Sequence, residues 1–192
     1  MKAFRNSYPA YLFLYSFYFM STALFTTLIS VYLIGHQYSA SQVSNLVSTA
    51  FFLSMLTQPL FGYINERFGI VKITTLSLGV LMAGVGGFIW APNFFWLTIF
   101  YGLVLLCLNG TAPMMEILAT QSPYAFGKIR VWGTLGYAAG AHLAGWLYAH
   151  LSPQSVYYCV LVTILLSFFT LGAIRIDKTN RVQKEAVSIR PL

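Results

Sequence analysis

The chain has 192 residues, of which 58% are apolar and only 8% charged, with a mean hydropathy of +0.71. A water-soluble domain carries about 25% charged residues, so this composition excludes an ordinary cytosolic enzyme, a disordered tail and a small secreted disulfide module. Eleven Lys and Arg against four Asp and Glu leave a formal charge of +7, and the meaning of that excess depends on where it sits.

A helix needs about 20 mostly apolar residues to cross a bilayer. On that measure the sequence predicts an all-α membrane protein with six transmembrane helices, over 9–34, 43–64, 71–91, 94–117, 128–150 and 154–174. The first apolar stretch is too long for a cleaved signal peptide and has no small-residue cleavage site. Breakers punctuate the gaps: Gly35 with His36, Gly69, Ala91-Pro92-Asn93, Ser122-Pro123 and Ser152-Pro153. Residues 1–174 therefore read as one transmembrane unit, and 175–192 as a basic tail or the start of a linker.

The basic residues alternate with the spans. Lys2 and Arg5 precede the first, and Arg67 and Lys72 flank the turn after the second. Lys128 and Arg130 follow the fourth, and Arg175, Lys178, Arg181, Lys184 and Arg190 follow the sixth. Every one falls on the same side, which by the positive-inside rule puts both termini of a multi-pass protein in the cytoplasm; the expected location is the cell inner membrane. The charge excess is thus a topology signal, and nucleic acid is not an expected partner. Trp90 and Trp96, and Tyr148, Tyr157 and Tyr158, flank outer loops as an interfacial aromatic belt requires. Cys107 and Cys159 lie inside apolar runs and read as packing residues, and no cofactor or metal is expected.

Ionisable residues at membrane depth are functional candidates, and three qualify: Glu116, Arg130 and His142. Asn109 and Glu116, seven apart, share one face of the fourth span, with the small Ala112 between them. Arg130, Thr134 and Tyr137 make a polar stripe on the fifth. A short connection joins these antiparallel helices, so Glu116 and Arg130 stand at similar depth. The pair either walls a polar cavity or snorkels to anchor the helix ends. His142 either titrates in a proton path or hydrogen-bonds a neighbouring helix.

Small residues mark packing faces: Gly133, Gly136, Gly140, Ala144 and Gly145 on the fifth span, and Gly79, Gly84, Gly86 and Gly87 on the third. Pro59 and Pro113 should bend their helices. Ala141-His142-Leu143-Ala144-Gly145 looks like the histidine motif of rhomboid proteases, but no Gly-x-Ser-Gly turn supplies the nucleophile that chemistry needs. No His-Glu-x-x-His, phosphate-binding loop or intramembrane carboxylate pair is present either. An enzyme is not expected.

Two motifs carry a family resemblance. Gln58-Pro59-Leu60-Phe61-Gly62-Tyr63-Ile64-Asn65-Glu66-Arg67-Phe68-Gly69 followed by Lys72 resembles the signature loop of the major facilitator superfamily. Phe126-Gly127-Lys128-Ile129-Arg130, with Gly133, Gly136 and Tyr137, is similar to the start of the fifth helix in the lactose permease group of proton symporters. Glu66 stands where the superfamily usually has Asp, and Ile70 and Val71 replace basic residues. Tyr137 stands in place of a tryptophan, and Thr134 of a cysteine.

The resemblance implies the N-terminal half of a twelve-span transporter, built from inverted three-span repeats around a midplane site, with the C-terminal six spans as its missing partner. No internal repeat is visible in the sequence. It implies symport of a proton with a small polar solute such as a sugar or nucleoside. Glu116 and Arg130 would hold solute hydroxyls, Tyr137 would stack on the ring, Thr134 and Asn109 would complete the wall, and Gly62, Glu66, Arg67, Gly69 and Lys72 would form a gating loop. Two alternatives remain: a six-span substrate-binding subunit of a vitamin importer, or a non-transporting membrane interaction protein.

Overall fold

A computed structural model describes residues 6–174, so the basic tail and the charges of Lys2 and Arg5 lie outside the described residues. All regular structure among those residues is helical: α1 (Tyr8–Thr26), α2 (Ile29–Gly35), α3 (Ala40–Phe68), α4 (Ile70–Ile89), α5 (Phe94–Thr120), α6 (Phe126–His150) and α7 (Ser155–Gly172).

Each boundary has a local cause. Pro9 sits in the first turn of α1, where a missing N–H costs nothing. The first apolar stretch breaks at Thr27-Leu28 into α1 and α2. Thr22, Thr26 and Thr27 each bond a carbonyl one turn back, a habit that bends helices. Ser39 and Gln42 close a capping box on α3, and the Asn93 side chain accepts from the Trp96 N–H to start α5. Between α3 and α4 stands Gly69 alone, at φ +89° and ψ 137°, a conformation that costs an L side chain of order 1–3 kcal/mol.

That single-residue junction corrects one expectation. Gly62, Glu66 and Arg67 belong to a continuous helix that runs through Pro59 to Phe68, so the anticipated gating loop is mostly the last turns of α3. Among the described residues, five stretches are long and apolar enough to cross a membrane: Tyr8–Gly35, Ala40–Phe68, Ile70–Ile89, Phe94–Thr120 and Ser155–Gly172. The helix α6 has the length, at 25 residues, but its glycines, Arg130 and His142 dilute its apolar character.

The packing has an internal symmetry. The helix α1 packs on α6 and α7, α5 packs on α3 and α4, and α4 meets α7. Lighter contacts join α3 to α4, α6 to α7, α2 to α3, and α5 to α6. Exchanging the first three spans (α1/α2, α3, α4) with the last three (α5, α6, α7) maps this pattern onto itself. The two triplets start from opposite ends of the bundle, so the repeat invisible in the sequence appears as inverted packing.

One end gathers the charged turns. Asn6 N–H donates to the Ala173 carbonyl at 3.1 Å, Tyr8 OH to the Lys128 carbonyl at 3.2 Å, and Trp132 Nε1 to Tyr8 OH at 3.0 Å. A cleft of 510 Å³ joins Glu66, Gly69 and Lys72 to Ile117 of α5 and to Gln121, its C-cap. Arg67, Lys72, Lys128 and Arg130 all belong to this basic end. The interior of the opposite half holds an aromatic cluster of Phe25, Tyr32, Phe88, Tyr101 and Tyr157.

The glycines of α6 set its distance from α1. A Cβ on Gly136 would stand 2.8 Å from the Cα of Ser16, and one on Gly140 would stand 2.6 Å from the Met20 carbonyl oxygen. Gly133 meets the rings of Tyr15 and Phe19, both at 2.8 Å. Gly84 and Gly87 play this part between α4 and the Val104 and Phe100 side chains of α5. Gly79 and Gly145 face open space and Gly86 meets only Trp90 of its own turn, so these three do not join the expected packing faces.

Candidate functional site

The tight α1–α6 contact fixes the rotation of α6. With Gly133, Gly136 and Gly140 turned to α1, the adjacent face carrying Arg130, Thr134 and Tyr137 is left exposed. Helix α5 brings Glu116 alongside. Arg130 Nη1 donates to Glu116 Oε2 at 2.7 Å, the ion pair formed between described residues, with the guanidinium also 5.6 Å from the Phe126 ring centroid. The side chains remain 58% and 35% exposed, so neither charge carries the full desolvation cost of burial.

Glu116, Arg130, Thr134 and Tyr137 line one open cleft of 290 Å³, together with Phe19, Gly133 and Ala138. A volume of this size suits a small ring. Its wall offers a planar fork of N–H donors, a carboxylate acceptor, a hydroxyl and two aromatic rings, which is the chemistry that recognises a polyol with one apolar face.

Asn109 is not part of it. Its amide Nδ2 donates to Ser54 Oγ at 2.8 Å, tying α5 to α3, because α5 turns that flank toward its packing partner. The depth also differs from expectation. Glu116 lies one turn before the end of α5 and Arg130 one turn into α6, so the pair stands about 6 Å from the basic end rather than midway. Tyr137 alone reaches the middle of its helix. His142 is exposed on α6 with no hydrogen bond to a neighbouring helix. Gly62, Glu66, Gly69 and Lys72 line the separate cleft at the basic end, whereas Arg67 lies over the Phe68 ring at 5.6 Å.

Phe19 carried no signal in the sequence, being one aromatic among many on the first span. Behind it, Tyr15 is 1% exposed. Tyr18 OH donates to the Leu108 carbonyl at 2.6 Å, beside the carbonyl of Asn109 that Pro113 leaves without its helical donor.

Residues 11–190 match the family model described as Major Facilitator Superfamily. The chain belongs to this superfamily. It is 28% identical over 171 residues to a sucrose permease of Escherichia coli, a match covering 82% of the chain and 41% of that relative. It is 27% identical over 173 residues to a maltose permease of Geobacillus stearothermophilus, covering 84% of the chain and 42% of that relative. The chain thus spans about two fifths of the length of the curated relatives it matches. The superfamily match bears out the family drawn from the two motifs and displaces the vitamin-importer alternative. As a superfamily member with several helices long and apolar enough to cross a bilayer, this is a multi-pass membrane protein.

Proposed function

We propose that this chain forms the N-terminal six-span half of a proton-coupled symporter for a sugar or similarly hydroxylated solute, in the cell inner membrane with both termini cytoplasmic. In this reading α6 is the fifth span, kept in the bilayer by its packing on α1 rather than by its own apolarity. The outward apolar face of α3, with Phe52, Met55, Leu56 and Tyr63 all exposed, meets lipid or the second half.

The observation that carries the proposal is the Glu116–Arg130 pair, supplied by two helices to one cleft with Thr134 and Tyr137. Arg130 donates to solute oxygens, Glu116 accepts from solute hydroxyls, and Tyr137 offers a stacking face. The second half supplies most of the proton coupling, as the resemblance implies, and the chain alone does not transport. Asn109 is reassigned to holding α5 against α3.

The test is uptake of labelled sucrose and maltose by cells expressing the chain alone or joined to six further spans of its reading frame, with external pH recorded. Uptake with alkalinisation only in the longer protein is expected. Solute-independent pH, or uptake unchanged by Arg130→Lys, overturns the assignment, since lysine cannot reproduce the planar fork.

A further inference from the structure

The hydroxyl of Tyr15 is buried, in a residue 1% exposed, and has no hydrogen-bond partner. Leaving a donor in that condition is costly, and a phenylalanine would fill the same volume without the penalty. The surroundings explain why the group is there. Its ring lies against Gly133, which lines the solute cleft, and against Phe19 at 5.2 Å between centroids. Gly133 and Phe19 in turn line the same cleft as Glu116 and Arg130, so Tyr15 backs the wall that carries the ion pair. Tyr101, the other buried tyrosine with an unpaired hydroxyl among the described residues, lies instead among the rings of Phe25 and Phe88, outside the lining of that cleft.

Glu116 has more acceptor capacity than one arginine uses. A carboxylate offers about four lone-pair sites, and Oε2 takes Arg130 Nη1 in this structure. We infer that Tyr15 is a positioning residue whose O–H donates to the Glu116 carboxylate when Arg130 turns its fork to a bound solute. The two states then share one carboxylate: paired to Arg130 while the cleft is empty, and held by Tyr15 while Arg130 and Glu116 engage solute oxygens and hydroxyls. The unpaired hydroxyl in the empty state biases the site toward occupation, because filling the cleft gives the buried donor its acceptor. This inference rests on the solute site proposed above.

Tyr15→Phe in the full-length transporter tests it, with sugar affinity and the melting temperature of the solute-free protein both measured. Affinity is expected to fall about tenfold, the size of one hydrogen bond to a charged group, while solute-free stability holds or rises. In a Glu116→Gln background, where the charge that draws the hydroxyl is gone, Tyr15→Phe is expected to change affinity by no more than about twofold. Affinity within twofold of the parent, or a lowered solute-free melting temperature, overturns the inference and leaves the solute site standing. Absence of sugar binding in the unsubstituted transporter instead overturns the solute site, and the role of Tyr15 with it.

Discussion

Arginine 130 contributes through geometry as much as charge. Its guanidinium reaches Glu116 at 2.7 Å while resting near the Phe126 ring, and both contacts use a flat, delocalised cation. Replacing it with lysine is expected to cut solute affinity about 10- to 100-fold, the range of one or two charge-assisted hydrogen bonds, as read by equilibrium binding to the full-length protein. Gly69 makes a different demand. A Cβ there meets nothing within 4 Å, but the backbone stands at φ +89°, so Gly69→Ala is expected to destabilise by about 1–3 kcal/mol, seen as a lower melting temperature. Helical spacing put Arg130, Thr134 and Tyr137 on one face, and the short connection between α5 and α6 brought Glu116 level with Arg130. The same spacing misjudged Asn109, since the rotation that sends it to Ser54 is set by α3, about which the sequence of α5 says nothing.

The helices themselves were legible because apolar length and Gly or Pro breakers are local signals. Helices cover all six predicted stretches within a few residues of their expected bounds, and five of these stretches are long and apolar enough to cross a membrane, while threonine side chains bond their own helix at the Thr27-Leu28 break. Packing faces were less legible. Gly136 and Gly145 are the same residue type on one helix, yet one lies against the Ser16 backbone and the other faces open space. Gly136→Ala is therefore expected to push α1 from α6, lowering the melting temperature and weakening binding at the cleft that their contact positions. Gly145→Ala should be harmless or slightly stabilising, because alanine is the better helix former by about 1 kcal/mol. Ser39→Ala removes the capping box of α3 and is expected to cost about 1 kcal/mol in the same assay.

For the whole molecule, the described basic residues gather at one end, joined there by the Asn6–Ala173 and Tyr8–Lys128 hydrogen bonds. Under the proposed orientation, a cysteine at Lys128 is expected to react with an impermeant maleimide only after cells are opened, and one at Ser152 in intact cells. The reverse pattern would invert the topology. The exchange pattern of the packing also bears on how the protein is made. Its first helix buries itself against α6 and α7, which leave the ribosome after the other described helices, while the helices that follow it await α5. A nascent chain halted after three spans would hold its leading helix with no seat, in a form open to proteolysis. Synthesis must reach α7 before α1 is housed.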